Sequence, residues 1–352
     1  MMGRIELTTR TDLDAPTAQR WADVDQVRAV ATRALTARGV PSAASVIELL
    51  LETSLNGVHT HGIRMLASYL DELDRGVAVA DAEPTIVKDT GSVVVLDARS
   101  ALGVVAGLHG SELAVQRARV HGVGVVGVRH SNHFGAAGCY TRRMAAAGMM
   151  GIASTSAASR VAPFNGAEPL FGTNPLSIAY GPEFCLDMAT SQVCFGEIKE
   201  RLRTGDRLDS GWAVDESGTP TADPVAASAL SPLGGYKGQG LAMMVTMLTA
   251  VLVGGPLDFE LDHIGTSAGG RDRGITHLLL VIDPEAMGGR APADDAMGRL
   301  VEQVRQSRPA EPSRPVLIPG DPQRQHAAHQ LRHGLQVDAA TAAMLDALVA
   351  EQ

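Results

Sequence analysis

The 352-residue sequence contains only three cysteines and twelve aromatic residues, and it has no tract rich in lysine or arginine. With a net charge of −9, it lacks the basic surface of a nucleic-acid-binding protein. The longest apolar run, Leu241 to Val253, is interrupted by two threonines and is too short to span a bilayer. The first thirty residues contain no apolar signal-peptide core. We therefore expect a cytoplasmic protein that binds neither nucleic acid nor membrane.

The three cysteines, Cys139, Cys185 and Cys194, show neither C-x-x-C spacing nor the density of a disulfide framework. They are typical of buried thiols in a reducing compartment.

Apolar residues at helical spacing predict three N-terminal helices, over residues 22–39, 41–57 and 62–76. We expect them to form a helical domain over residues 1–80 that packs with the C-terminal segment 300–352. Residues 81–300 would form a second domain, which binds cofactor and substrate.

The middle of the chain predicts a mixed α/β sheet. Asp89-Thr90-Gly91 separates two β-branched runs, which is a hairpin signature, and helices cross between further strands. The Pro-rich segment 307–325 is expected to be extended, with a short helix from Asp338. Strands are predicted at 123–128, 149–154, 175–180, 185–188 and 276–282, and helices at 103–120, 192–203 and 237–253.

Residues 122–127 spell G-x-G-x-x-G, the dinucleotide-binding fingerprint. That motif needs a strand before it and a helix that begins within it. Here a predicted helix precedes the motif and a predicted strand runs through it, so we do not interpret it as a Rossmann site.

Ser131-Asn132-His133 ends a β-branched strand beside an Ala-rich helix, where free N–H groups favour an anion. Two histidine pairs, His59/His61 and His130/His133, have no nearby carboxylate or cysteine to complete a metal site, so no metal is predicted. His61 and His133 each lie among small polar residues at the boundary of an element. An imidazole there can transfer protons at neutral pH, although a core or solvated histidine is the ordinary alternative.

Three further features favour a ligand site less specifically. Asp187 ends an apolar run and could instead be a helix N-cap. Glu197 could be an ordinary exposed glutamate. Four glycines around Lys237, just before an apolar helix, indicate a loop that approaches an anion, or else a flexible turn. Arg271 and Arg273 could add cations before the last strand.

These segments together resemble the malate/L-lactate dehydrogenase 2 family, which includes sulfolactate and ureidoglycolate dehydrogenases and Δ1-piperideine-2-carboxylate reductases. The resemblance covers about residues 22–350. It rests on Thr60-His61-Gly62, Ser131-Asn132-His133-Phe134-Gly135, Leu170-Phe171-Gly172-Thr173-Asn174-Pro175, Leu186-Asp187-Met188-Ala189-Thr190-Ser191, Gly234-Gly235-Tyr236-Lys237-Gly238, Arg273-Gly274-Ile275-Thr276-His277 and Pro319-Gly320.

The resemblance implies a homodimer and an NAD- or NADP-dependent enzyme with a non-Rossmann, largely antiparallel cofactor fold. His61 would donate or accept the proton, positioned by Thr60, with Glu197 and His133 as further catalytic residues. Met65, Tyr69 and Thr173 would face the substrate. The cofactor would be held by Ser131, Asn132, His133, Asp187, Met188, Ala189, Lys237 and Gly320.

Three departures from the family bear on the substrate. Met65 stands where the family commonly has an arginine that grips the substrate carboxylate, and the neighbouring Arg64 points about 100° away on a helix. The link between Tyr180 and Leu186 is shorter than usual. Glu197 stands where hydroxy-acid dehydrogenases often carry lysine and imine reductases carry an acid, which favours C=N reduction.

We therefore predict hydride transfer between nicotinamide and a small 2-oxo or 2-hydroxy acid or a related imine. A carboxylate beside His61 is expected to raise the pKa of His61 and keep it protonated. The alternatives are a dedicated cyclic imino-acid reductase and a cofactor-binding protein that has lost catalysis.

Overall fold

The protein is described here from a computed structural model, which covers residues 8–9, 20–266 and 272–351. Arg271, one of the predicted cations, lies outside these residues. The ten helices of this part are α1 (Val24–Ala37), α2 (Ala43–Leu55), α3 (Leu66–Asp74), α4 (Gly103–His121), α5 (Gly138–Ala146), α6 (Phe195–Thr204), α7 (Tyr236–Thr246), α8 (Arg290–Arg305), α9 (Asp321–His333) and α10 (Ala339–Ala350).

The strands of the same residues form one large sheet and two small ones. They are β1 (Thr8–Thr9), β2 (Arg20–Ala22), β3 (Thr85–Asp89), β4 (Val93–Asp97), β5 (Val123–Ser131), β6 (Met150–Thr155), β7 (Leu176–Tyr180), β8 (Phe184–Met188), β9 (Ala213–Val214), β10 (Pro220–Thr221), β11 (Ala229–Leu230), β12 (Ile275–Ile282) and β13 (Leu335–Val337).

The N-terminal helices form where the apolar spacing predicted them. The Asp23 side chain accepts a hydrogen bond from the Gln26 N–H at 2.8 Å, which caps α1. One face of α1 is buried against α2 and α10, while the strand β2 pairs with β13. The N-terminal helices therefore contact the C-terminal segment, and the proposed division of the chain into two domains remains a prediction.

The central sheet has seven strands in the order β3-β4-β5-β12-β6-β7-β8. Only β4 and β5 run parallel, and α4 makes the crossover between them. The other five pairings are antiparallel, and β3 and β4 form the predicted hairpin. The prediction of a mixed, largely antiparallel sheet is confirmed.

The G-x-G-x-x-G segment serves packing between a helix and a strand. Gly122 ends α4 with φ +78°, and the remaining residues lie in β5. A Cβ on Gly124 would lie 2.0 Å from the Ala114 carbonyl oxygen of α4, so only glycine lets this helix approach the strand so closely. The segment does not open a helix, and its interpretation as something other than a Rossmann motif is confirmed.

The C-terminal third departs from the prediction. The segment expected to be extended to Gln325 enters α9 at Asp321, and α8 lies where no helix was predicted. An aspartate and a proline open α9, both of which favour a helix start, so a local signal existed. Among the described helices, none is long and apolar enough to cross a membrane.

Candidate active site

Two short 3₁₀ turns, His59–His61 and Ile63–Met65, follow α2 and place the first candidate residues. Gly62 joins them and packs directly on α2, because a Cβ there would lie 2.0 Å from Ser54 Oγ. Ser54 Oγ in turn accepts a hydrogen bond from the Ile63 N–H at 2.8 Å. The buried helix α2 thus fixes the backbone around His61.

His61 and Thr60 form a hydrogen-bonded pair, with 2.9 Å between His61 Nδ1 and Thr60 Oγ1. Burial lowers the pKa of His61, which is the opposite of the predicted shift. The carboxylate expected to raise it belongs to Glu197, which is partly exposed and lies 3.5 Å from Arg201 Nε one helical turn away. His61 is therefore neutral at neutral pH in this structure.

His133 lies against His61. The two rings are stacked with centroids 5.6 Å apart, and Tyr69 Oη lies 2.9 Å from His133 Nδ1. The Gly135 N–H donates to the same Nδ1 at 3.4 Å, which makes Nδ1 an acceptor and leaves the ring proton on Nε2. Burial, followed by the nearby His61 and Arg273, holds the pKa of His133 well below its ordinary value.

Ser131 and Asn132 are fully buried and hold the backbone that carries His133. Ser131 Oγ lies 2.8 Å from His277 Nε2. The Asn132 amide donates to the carbonyl groups of Val77, Ser100 and Ala101, and its oxygen accepts the Arg273 N–H. Neither side chain lines the cavity described next, so any role toward a cofactor would be exerted through the backbone they position.

A cavity of about 900 Å³ opens beside His61. Its walls come from the 3₁₀ turn, the start of α5, β8, α8 and the start of α9, and many of its lining residues are glycine or alanine. Seven of the predicted site residues line it: Thr60, His61, Thr173, Asp187, Met188, Ala189 and Gly320.

Asp187 links two walls of the cavity. Its carboxylate accepts the Gly138 N–H at 2.8 Å, where α5 begins, so it caps a helix to which it is not adjacent in sequence. Desolvation by the surrounding protein raises the pKa of Asp187, whereas the hydrogen bond from the Gly138 N–H and the charge of Arg142 lower it. The carboxylate is nevertheless open to the cavity and can accept hydrogen bonds from a ligand.

The far wall of the cavity was not predicted. Gly320 has φ +107° and begins α9, and Arg324 from the first turn of α9 donates to the Glu183 carbonyl oxygen. Gln323 Oε1 is buried at this wall and has no hydrogen-bond partner within the described chain. Sequence reasoning missed Gln323 and Arg324 because it expected this segment to be extended.

The turn that carries Thr173 is held from behind by a buried aspartate. Asp258 Oδ2 accepts hydrogen bonds from the Gly172 N–H at 3.0 Å, from Asn174 Nδ2 at 2.7 Å and from Thr246 Oγ1 at 3.0 Å. Burial raises the pKa of Asp258. No local sequence signal marked this residue, since two of its partners, Gly172 and Asn174, are distant in the chain.

Besides Ser131, Asn132 and His133, four predicted residues lie outside the cavity wall. Lys237 is exposed in the first turn of α7, Tyr69 is buried beneath His133, and Met65 packs partly buried against the hydrophobic core. Glu197 follows Gly196, where a Cβ would lie 2.7 Å from Thr60 Cγ2, so its helix borders the pair of Thr60 and His61. The carboxylate of Glu197 is paired with Arg201. Their predicted roles remain predictions.

The comparison with known sequences identifies the family. A sequence model of the malate/L-lactate dehydrogenase family matches residues 22–346. The chain belongs to this family. It is 34% identical over 307 residues to the L-sulfolactate dehydrogenase of Methanocaldococcus jannaschii, covering 85% of this chain and 88% of that protein.

Solved structures agree with this assignment. The malate dehydrogenase of Entamoeba histolytica superposes with a TM-score of 0.89 at 26% identity, covering 95% of this chain and 98% of that one. The Δ1-piperideine-2-carboxylate reductase of Pseudomonas syringae pv. tomato gives a TM-score of 0.81 at 29% identity, covering 93% and 99%. Family members are NAD(P)-dependent dehydrogenases and reductases, so the predicted family, enzyme class and nicotinamide cofactor are confirmed.

The cavity fits a dinucleotide. Its volume is at the upper end of the range for cofactor pockets, about 300–1,000 Å³. Small side chains keep it wide. The carboxylate of Asp187, and Gln323 Oε1, which has no partner among the described residues, are acceptors suited to hydroxyl or amino groups of the cofactor.

Proposed function

We propose that the chain catalyses hydride transfer between NAD(H) or NADP(H) and a small 2-oxo or 2-hydroxy acid or a related imine. The observation that carries this proposal is the hydrogen-bonded Thr60–His61 pair in the cavity wall, with His133 stacked on His61, in a member of a dehydrogenase family. The bound nicotinamide supplies or accepts the hydride. Asp187, Met188, Ala189 and Gly320 would hold it along the cavity.

His61 moves the accompanying proton. Thr60 occupies Nδ1, so Nε2 is the nitrogen left for exchange with substrate oxygen or nitrogen. Neutral His61 can accept the proton of a 2-hydroxy acid as it is oxidised, whereas reduction requires the imidazolium. His133 carries its proton on Nε2 and would donate a hydrogen bond within the same site.

The choice between C=O and C=N reduction depends on Glu197 and Met65. Glu197 lies in the first turn of α6, directly after Gly196, which packs against Thr60. An acid at this position favours reduction of an imine. To separate the candidates, pyruvate, oxaloacetate and Δ1-piperideine-2-carboxylate are assayed with NADH and with NADPH. Faster turnover of the imino acid would support an imine reductase. Tight cofactor binding without turnover of any 2-oxo or imino acid would contradict catalysis and support a protein that has lost it.

We also propose a cytoplasmic homodimer. All three cysteines are free thiols, as a reducing compartment requires. Met243, Met247 and Val251 form an exposed apolar stripe at helical spacing along α7 and its continuation, which a second copy would cover. Light scattering after size exclusion tests this proposal. We expect a dimer for the native chain and a shift toward monomer for Met247→Glu, and a native monomer would contradict it.

A further inference from the structure

Two positively charged arginines near the candidate active site have no role in the proposed function. The first, Arg273, has a side chain only 6% exposed, and its Nε and Nη1 have no hydrogen-bond partner in the described part of the chain. Its nearest carboxylate is Glu72, which is 2% exposed and 3.8 Å away, and neither Glu72 oxygen has a hydrogen-bond partner there. Glu72 therefore offsets the charge of Arg273 without satisfying its donors.

The second, Arg160, has no carboxylate partner within the described residues. Its guanidinium carbon lies 3.8 Å from the centre of the Phe195 ring, so one face of the guanidinium is covered by the ring. Burial and the neighbouring Arg273 both lower the pKa of Arg160. A half-buried cation without a counter-ion is unfavourable until an anion joins it.

Arg160 contacts two segments that contribute residues to the cavity wall. Phe195, beneath its guanidinium, lies between Cys194, which lines the cavity, and Gly196, where a Cβ would be 2.7 Å from Thr60 Cγ2. The Arg160 N–H donates to the Phe171 carbonyl oxygen, two residues before Thr173. Arg160 therefore adjoins the two segments that border Thr60 and carry Thr173.

We propose that Arg160 binds the acid group of the substrate, taking the role that Met65 cannot fill. This inference rests on the proposed function. The ring of Phe195 holds the guanidinium plane, which leaves the N–H groups at its edge for a carboxylate. Glu72 and Asp262 act on Arg273, which leaves Arg160 as the cation without a counter-ion among the described residues, so the substrate class is an acid with a single anionic group. Arg273 is a positioning residue behind Arg160.

The experiment measures the binding of substrate analogues to the protein–cofactor complex. NADH and NADPH are first titrated calorimetrically into the native protein, Arg160→Ala, Arg160→Lys and the control Arg203→Ala. Arg203 lies on the same helix as Phe195 but is exposed and paired with Glu200. Oxamate, pyrrole-2-carboxylate and the two-carboxylate probe tartronate are then titrated into each protein saturated with its preferred cofactor.

We expect the cofactor Kd to change less than about twofold in every variant. The Kd of oxamate or pyrrole-2-carboxylate should rise about 10- to 100-fold in Arg160→Ala, as expected for loss of a hydrogen-bonded charge, less in Arg160→Lys, and not in Arg203→Ala. The native complex should bind the single-carboxylate probes more tightly than tartronate.

Unchanged affinity of Arg160→Ala for the single-carboxylate probes, with cofactor binding intact, would overturn the inference. So would a native complex that binds none of the three probes, or one that prefers tartronate. A native protein that binds neither NADH nor NADPH would instead contradict the proposed function, so the two failures are distinguishable.

Discussion

Thr60 Oγ1 and His61 Nδ1 are hydrogen-bonded at 2.9 Å, between two adjacent residues of a single 3₁₀ turn. This contact fixes the ring of His61 and leaves Nε2 as the nitrogen that we propose exchanges the proton. It also makes the orientation of His61 testable separately from its chemistry.

Thr60→Val removes the hydroxyl and keeps the shape of the side chain. We expect kcat to fall about 10-fold, the effect of losing one orienting hydrogen bond, with the cofactor Kd unchanged. Thr60→Ser is the matched control, because it keeps the hydroxyl and should retain turnover close to that of the native protein. Equal rates for Val and Ser would show that the hydroxyl does not orient His61.

The direction of the His61 pKa shift sets the pH dependence of the reaction. Because burial lowers this pKa, the imidazolium needed for reduction forms at lower pH than it does for an ordinary histidine. We expect kcat/KM for reduction to fall as pH rises from 5 to 8, and kcat/KM for oxidation to rise over the same range. Profiles measured in both directions would contradict this if reduction were fastest near pH 8.

His277 should make the protein sensitive to acid. It is fully buried between Ser131 Oγ and Thr155 Oγ1, and burial lowers its pKa to about 3. Between about pH 6.5 and pH 3, His277 therefore binds a proton in the unfolded chain but not in the folded chain. Full stability is present above about pH 6.5, and this group removes about 1.4 kcal/mol per pH unit as pH falls toward 3.

Urea unfolding of the native protein and of His277→Phe at several pH values between 6.5 and 4 measures this slope. Phenylalanine keeps the stacking on Phe134 but cannot titrate. We expect a shallower dependence on pH in the variant, whatever its absolute stability. Parallel slopes for the two proteins would assign the acid sensitivity to other groups.

Gly124 is predicted to be intolerant of any side chain. A Cβ there would meet the Ala114 carbonyl oxygen of α4, so Gly124→Ala must push the helix away from β5. We expect a loss of about 1–3 kcal/mol or more in the free energy of unfolding. Gly288→Ala is the control, since a Cβ there meets nothing within 4 Å. Similar melting temperatures for the two variants would contradict the packing account.

The sequence was most informative where structure is local. Helical spacing located α1 and α2, and the turn at Thr90–Gly91 located the first hairpin, because each signal lies within one element. The proline-rich composition of 307–325 obscured the start of α9, although Asp321 and Pro322 marked it.

Within the site, adjacency predicted the pair of Thr60 and His61. The stacking of His61 on His133, and the hydrogen bonds that Asp258 accepts from Gly172 and Asn174, join segments 70 or more residues apart and leave no pattern in either segment. The lowered pKa of His61 was missed for the same reason, because burial is a property of the whole fold.

The most direct test of the account is the turnover of His61→Ala with the best substrate of the panel. We expect kcat to fall by about 10²- to 10⁴-fold, the range for a general acid or base, with the calorimetric Kd of the cofactor unchanged. His61→Ala that binds the cofactor and keeps full turnover would contradict the assignment of proton transfer to His61.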